Sequence, residues 1–201
     1  MMSDTAFDAA WAEASGQVGW FSRGEAREIH TLACSVPEGQ VIIEIGSYAG
    51  RATVVLADSG RRVIAVDPLV FGTKPTGTWE VGPEHEAAFK GVLARHPNVK
   101  WERVPSLEAP LPEEPVGLLF IDGDHDAPAP LNDYRHFEPV LAPGAWVCFH
   151  DYKVCAGVTE AADSLVSENQ LERVRLRERL LVARRAVQLR RHPGTHRTQE
   201  D

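Results

Sequence analysis

Five short apolar runs, separated by segments of helical period, constrain this chain more than any other feature. They fall at 41–45, 63–66, 99–104, 118–121 and 146–149, and all but the third are apolar almost throughout. A strand that is apolar at nearly every position is covered on both faces, as in a parallel sheet lying between helices. Between the runs, Ser22-Arg-Gly-Glu25 has the spacing of a capping box and opens a helix reaching about Cys34. Further helices are expected over 50–58, over 83–95 with Pro83 in the first turn, over 131–141 and over 157–166. Alternation of this kind predicts an α/β fold, a doubly wound and mostly parallel sheet.

The rhythm changes near the end. Residues 171–176 alternate apolar and polar side chains, and 180–183 follow after only three residues. A closing hairpin there would bring the sheet to seven strands with the final one reversed. A single helix over 170–190 is the alternative, since Arg, Leu and Glu favour helix. The tail from Arg190 onward is expected to be disordered, and residues 68–83, rich in Gly, Pro and Thr, form the one long loop. The expected division is an N-terminal helical segment (1–38) covering the site, a core (39–186) and a tail (187–201).

Composition narrows the function classes. No apolar run approaches the ~20 residues of a membrane span, and the polar, acidic start does not resemble a secretory signal. Three cysteines, Cys34, Cys148 and Cys155, suit neither a disulfide framework nor a structural zinc site. A cytoplasmic protein is the expectation. Net charge is −8, yet residues 171–197 hold nine Arg against Glu172 and Glu178, a local +7 that leaves −15 elsewhere. An acidic body repels a phosphate backbone, so nucleic acid is not the expected partner and a small molecule is. The arginines alternate with apolar residues and read as the solvated face of a strand.

In open α/β sheets ligands bind beyond the carboxyl ends of the strands. The first strand ends in Glu44-Ile-Gly-Ser-Tyr-Ala-Gly50, whose two glycines permit a tight turn with bare backbone ahead of a helix. The central glycine that a pyrophosphate needs is missing, and Tyr152 and Lys153 are adjacent instead of forming a Tyr-x-x-x-Lys pair. Both absences speak against a nicotinamide-dependent oxidoreductase. Asp67, at the end of the second strand, can accept hydrogen bonds from both hydroxyls of a ribose. The fourth strand ends in Asp122-Gly-Asp-His125-Asp and the fifth in His150-Asp151. Adjacent parallel strands would bring these acids and imidazoles together, able to hold a divalent ion or to take a proton.

The runs Val41-Ile-Ile-Glu-Ile-Gly-Ser-Tyr-Ala-Gly-Arg, Val63-Ile-Ala-Val-Asp-Pro and Leu118-Leu-Phe-Ile-Asp-Gly-Asp-His resemble the class I S-adenosylmethionine-dependent methyltransferases. The likeness is greatest to the small group of metal-assisted sugar O-methyltransferases of antibiotic pathways and cephalosporin-hydroxylase-like proteins. The resemblance covers about 19–184 and implies a Rossmann-like seven-stranded sheet with a reversed final strand. It implies that the methionine end of S-adenosylmethionine lies on Gly46, Ser47 and the Gly50 turn, with Glu44 beneath it. Asp67 would take the ribose and Ser106 with Leu107 would flank the adenine, Tyr48 and Asp122 being further contacts.

Asp122 and His125 match an Asp-x-x-His in which the Asp binds metal and the His is the base, and His150 is a reserve base. The Glu-Asp pair that such enzymes carry is His150-Asp151 here, so Asp122, His150 and Asp151 are the candidate metal ligands, with Mn²⁺ or Zn²⁺ suiting the histidine better than Mg²⁺. The implied activity is O-methylation of a hydroxyl in a secondary metabolite or sugar, and a homo-oligomer stays open. N-methylation, non-methyl chemistry on the same fold and a non-catalytic binding protein are the rivals. Trp11, Trp20, Phe21, Phe71 and Trp79 are aromatic candidates for covering the site.

Overall fold

Every side chain of β1 (Val41–Ile45), β2 (Val63–Val66) and β6 (Val116–Ile121) is buried, as runs that are apolar almost throughout predict. The computed structural model describes residues 4–70, 72–73 and 80–186. With β5 (Val99–Glu102), β7 (Leu141–Phe149), β8 (Leu171–Arg177) and β9 (Leu180–Arg185), these strands form one seven-stranded sheet in the order β5-β2-β1-β6-β7-β9-β8. All pairs from β5 to β7 are parallel, and β9 runs against both of its neighbours. The hairpin, not the helix, is what the chain adopts over 171–185. Its second strand carries Leu180, Leu181, Val182 and Ala183, all buried between β7 and β8, and a helix would have left that edge of β7 open.

Helices cover both faces. On one side α2 (Arg23–Ser35) and α3 (Arg51–Ala57) set Ile29, Leu32, Val54 and Leu56 against Ile42, Leu118 and Phe120. A helix α1 (Asp4–Ala14) adds Phe7 and Ala14 to the same cluster. On the other side α5 (Ala129–Phe137) and α6 (Ala156–Ser167) set Tyr134, Phe137, Val158 and Leu165 against Ile43, Ile45, Leu119 and Phe149. A helix α4 (Pro83–Arg95) packs Phe89 on Ala65 beside a two-stranded ribbon, β3 (Gly72–Thr73) with β4 (Glu80–Val81). None of the described helices is long and apolar enough to cross a membrane.

The capping box at the start of α2 is present in full, with Ser22 Oγ taking the Glu25 N–H and Glu25 taking the Ser22 N–H. Elsewhere boundaries moved. The helix expected over 131–141 starts at Ala129, ends at Phe137 and gives way to a 3₁₀ turn over Glu138–Val140. Pro139 has no N–H to continue an α-helical ladder, so the turn tightens and Leu141 begins a strand. The third strand stops at Glu102, short of 104, with Pro105 close behind. β8 is exposed at every position after Leu171, so its alternation does not separate a buried face from a wet one. A register shift between Arg173 and Arg175 breaks the alternation. Phe71, Trp79, part of the 68–83 loop and the tail from 187 lie outside the described residues.

The ends of β1 and β6 meet at Gly46. Its φ is +87°, and a Cβ there would lie 2.1 Å from the Asp122 carbonyl oxygen and 2.8 Å from Gly123 Cα. Both partners are backbone, so neither can swing aside. Gly46→Ala should therefore cost more than the about 1–3 kcal/mol of an ill-fitting φ alone, read as a lower midpoint in urea unfolding. A variant as stable as the parent would show that the two strand ends are not locked together.

Candidate active site

The turn after β1 is built from below. Glu44 is fully buried, and its Oε2 accepts from Ser47 Oγ at 3.0 Å and from Thr53 Oγ1, the first turn of α3, at 2.6 Å. Its Oε1 has no hydrogen-bond partner. Burial outweighs the two hydroxyls and pushes its carboxyl up to about 8, so Glu44 is neutral at pH 7. Above it the backbone reverses through Tyr48, at φ +48°, and Gly50, at φ +90°. A Cβ on Gly50 would press on Val92 at 2.9 Å and Phe89 at 3.0 Å. Asp67 pins the turn from the end of β2, its Oδ2 accepting the Tyr48 N–H and its Oδ1 the Leu69 N–H, both at 2.8 Å.

Two cavities open over this end of the sheet and share Gly46, Tyr48, Asp122 and Gly123 as a common wall. The larger, about 620 Å³, reaches past Asp67 to Ser106 and Leu107. Six carboxylates line it, from Asp67, Glu108, Asp122, Asp124, Asp126 and Asp133, and no Lys, Arg or His among the described residues does. The smaller, about 310 Å³, lies under residues 18–21 and reaches Ser47, Arg51, His125, His150, Asp151 and Arg179. Glu44 lines neither, so the structure places it as the support of the turn.

The acid and imidazole clusters do converge, around one oxygen. Asp122 Oδ1 stands 3.0 Å from His150 Nδ1 and 3.4 Å from His125 Nε2. Asp151 Oδ2 is 3.7 Å from each of those nitrogens. His150 is only 2% exposed, edge-on to Phe21, with Nε2 facing Glu25 Oε2 at 3.5 Å. Burial alone would lower the His150 pKa, but Asp122, Glu25 and Asp151 outweigh it and hold it at about 10. Without a metal such a ring is held as imidazolium, which makes His150 a weaker candidate for the base than His125. His125 is the more open of the two. Asp122, hydrogen-bonded to it, holds its pKa above the ordinary value against the opposing effect of burial. Asp122, His150 and Asp151 each offer a ligand atom within 4.8 Å of the others.

A family model described as a methyltransferase domain matches residues 43–152, more than half of the chain. This chain belongs to that methyltransferase family. No curated protein sequence matches it at a significant level. Among solved structures, the cofactor-bound protein Rv0187 from MTB shares 17% identity at a TM-score of 0.65, over 90% of each chain. The O-methyltransferase TomG from Streptomyces achromogenes, involved in tomaymycin synthesis and solved with SAM, shares 16% identity at a TM-score of 0.59, covering 92% of this chain and 91% of its own. An O-methyltransferase from Bacillus cereus, in complex with SAH, shares 15% at 0.60 over 92% of each. At such identities the likeness is one of fold.

Four residues that line or support the site of this methyltransferase carry no signal in the sequence reading. Asp133, on α5, is hydrogen-bonded by Ser106 Oγ at the far end of the larger cavity, and burial raises its carboxyl to about 6. Arg179 sits in the two-residue turn of the β8–β9 hairpin and donates to Asp151 Oδ1 at 3.1 Å and to the Trp20 carbonyl at 3.0 Å. Glu25 reads in sequence only as a helix cap, yet it also accepts the Arg179 N–H at 3.2 Å. Arg51 follows the cofactor-type turn and holds carbonyls of residues 15–21. Trp20 lines the smaller cavity, stacked on Tyr48 at 5.9 Å, whereas Trp11 packs into the α1–α3 core cluster.

The buried neutral Glu44 makes a pH-dependent contribution to stability. Its folded pKa, about 8, is above the unfolded value near ~4.3, so the stability it lends is complete below the unfolded value and is lost as pH rises towards 8. Over that window wild type should lose stability against Glu44→Gln by up to about 1.4 kcal/mol per pH unit, measured by urea unfolding of the ligand-free protein from pH 5 to 9. Parallel curves for the two proteins would mean that Glu44 is charged in the fold.

Proposed function

We propose that this methyltransferase uses S-adenosylmethionine to methylate a hydroxyl of a small-molecule acceptor, a secondary metabolite or sugar, in the cytoplasm. The observation that carries the reading is the pair of cavities joined at the Gly46 turn. One is lined by six carboxylates and suits a cationic nucleoside cofactor, and the other holds an imidazole for the acceptor's proton. In the larger cavity Asp67 takes the ribose diol, and Ser106 and Leu107 flank the adenine. The methionine end lies on Gly46, Ser47, Tyr48 and Gly50, where an acidic surround lowers the cost of desolvating a sulfonium. Residues 1–38 act as cover and 39–186 as the cofactor-binding core.

Methyl transfer is a displacement at carbon, so the acceptor oxygen must be aligned with the sulfur–methyl bond and relieved of its proton. His125 takes that proton, its ring oriented by Asp122 and Asp151, which both face Nε2. Trp20 and Phe21 keep the smaller cavity from bulk water. A second reading adds a divalent ion, favoured by the convergence of Asp122, His150 and Asp151. The donor set fits. Asp151 keeps Oδ2 toward the cluster while Oδ1 is held by Arg179, and a nitrogen among oxygens suits Mn²⁺ or Zn²⁺. When bound, such an ion would lower the pKa of an acceptor hydroxyl.

Calorimetry tests the cofactor: S-adenosylhomocysteine should bind and NADH should not. Asp67→Asn, which keeps an oxygen for the turn amides, should weaken S-adenosylhomocysteine at least about tenfold, the loss of a charged hydrogen bond, and unchanged affinity would refute the ribose assignment. Turnover over a panel of hydroxyl and amine acceptors tests the chemistry. His125→Ala should then lose about 10²–10⁴ in kcat with cofactor affinity intact. A metal-assisted reaction stops with EDTA and resumes with Mn²⁺. Indifference to chelator would leave proton removal to His125 alone.

A further inference from the structure

The two cavities differ in charge. The larger has carboxylates and no basic side chain among the described residues, whereas the smaller brings Arg51, Arg179, His125 and His150 together with Asp122 and Asp151. Three of those four basic groups have an acid beside them: Arg179 has Asp151, and both histidines have Asp122. Arg51 does not. Its Nε donates to the Gln17 carbonyl at 2.9 Å, Nη1 to Phe21 at 3.2 Å and Nη2 to Ser15 at 3.5 Å. These are neutral acceptors. No carboxylate among the described residues forms an ion pair with it, and burial holds its pKa below the ordinary value.

A guanidinium has five N–H donors, and carbonyls take three of them, leaving two, and no carboxylate of the described residues to pair with the charge. Partly buried charge without a counter-ion is costly and is kept where a ligand supplies the missing partner. The position fits such a partner. Arg51 follows Gly50 directly, so it stands at the mouth of the turn and on the wall of the cavity that also holds His125.

We propose that Arg51 binds a carboxylate in the smaller cavity, supplied either by the amino-acid end of the cofactor or by the acceptor itself. The inference rests on the S-adenosylmethionine reading and adds a specificity residue to it. A merely structural Arg51 would latch residues 15–21 through their carbonyls and be indifferent to the charge of any ligand.

Two double-mutant cycles by calorimetry separate these cases. The first pairs Arg51→Gln with removal of the ligand's carboxylate, S-adenosylhomocysteine against its decarboxylated analogue. The second, on S-adenosylhomocysteine-loaded protein, pairs the same substitution with benzoate against phenol. Where Arg51 holds the carboxylate, wild type should prefer the carboxylated ligand by about 10- to 100-fold, as expected for a charge-assisted pair. Arg51→Gln should erase that preference, and Arg51→Lys should keep much of it. A preference in the first cycle identifies the cofactor as the source, and one in the second identifies the acceptor. Thermal melts of each variant check folding, and the wild-type preference is itself a reading that needs no substitution. Absence of coupling in both cycles, or a lysine variant as indifferent as the glutamine one, overturns the proposal. Failure of wild type to bind either nucleoside would instead overturn the cofactor reading.

Discussion

Bare backbone at Gly46 is the constraint on which the rest of the site depends. The carbonyl of Asp122 sits where a side chain of Gly46 would be, so the ends of β1 and β6 approach more closely than two ordinary residues allow. That approach makes one wall serve two cavities. It sets the Asp122 carboxylate, with its two histidines, beside the turn that Glu44 supports and Asp67 pins. Sequence places these groups in three separate motifs, and the glycine turns them into one site.

The fold was largely legible because its strongest signals are local. The runs in β1, β2 and β6 are apolar but for Glu44 and are buried throughout. The Ser22–Glu25 spacing fixed where α2 starts. Misreadings fell where signals conflict. Leu131 to Leu141 has helical periodicity, yet Pro139 stops the ladder and hands Leu141 to β7. The 171–176 alternation named the right element and the wrong environment, since edge strand β8 is exposed on both sides.

The same contrast holds at the site. Gly46, Gly50, Asp67, Asp122 and His125 could be read as candidates because each lies at or just after a strand end, in a motif that carries its own context. Glu25 and Arg179 could not, since their contact joins residues 154 positions apart, and neither charge nor period marks a turn arginine as a site residue. Arg51 was in plain view inside a motif, and only the structure shows that its charge lacks an acidic partner. Charge is therefore divided across the cleft, carboxylates alone among the described residues of the larger cavity and arginine and histidine beside them in the smaller.

Glu25 ties the site to the start of α2. One carboxylate closes the capping box, accepts the Arg179 amide and faces the buried His150. Those groups belong to three parts of the chain: the first long helix, the final hairpin and the end of β7. Fraying of a helix terminus is ordinarily a local and inconsequential opening. Here the same opening would strip the His150 cation of one of its counter-charges and loosen the hairpin turn at once. The first turn of α2, the hairpin turn and the end of β7 are thus coupled through one carboxylate, and an opening at the helix start is felt at the other two.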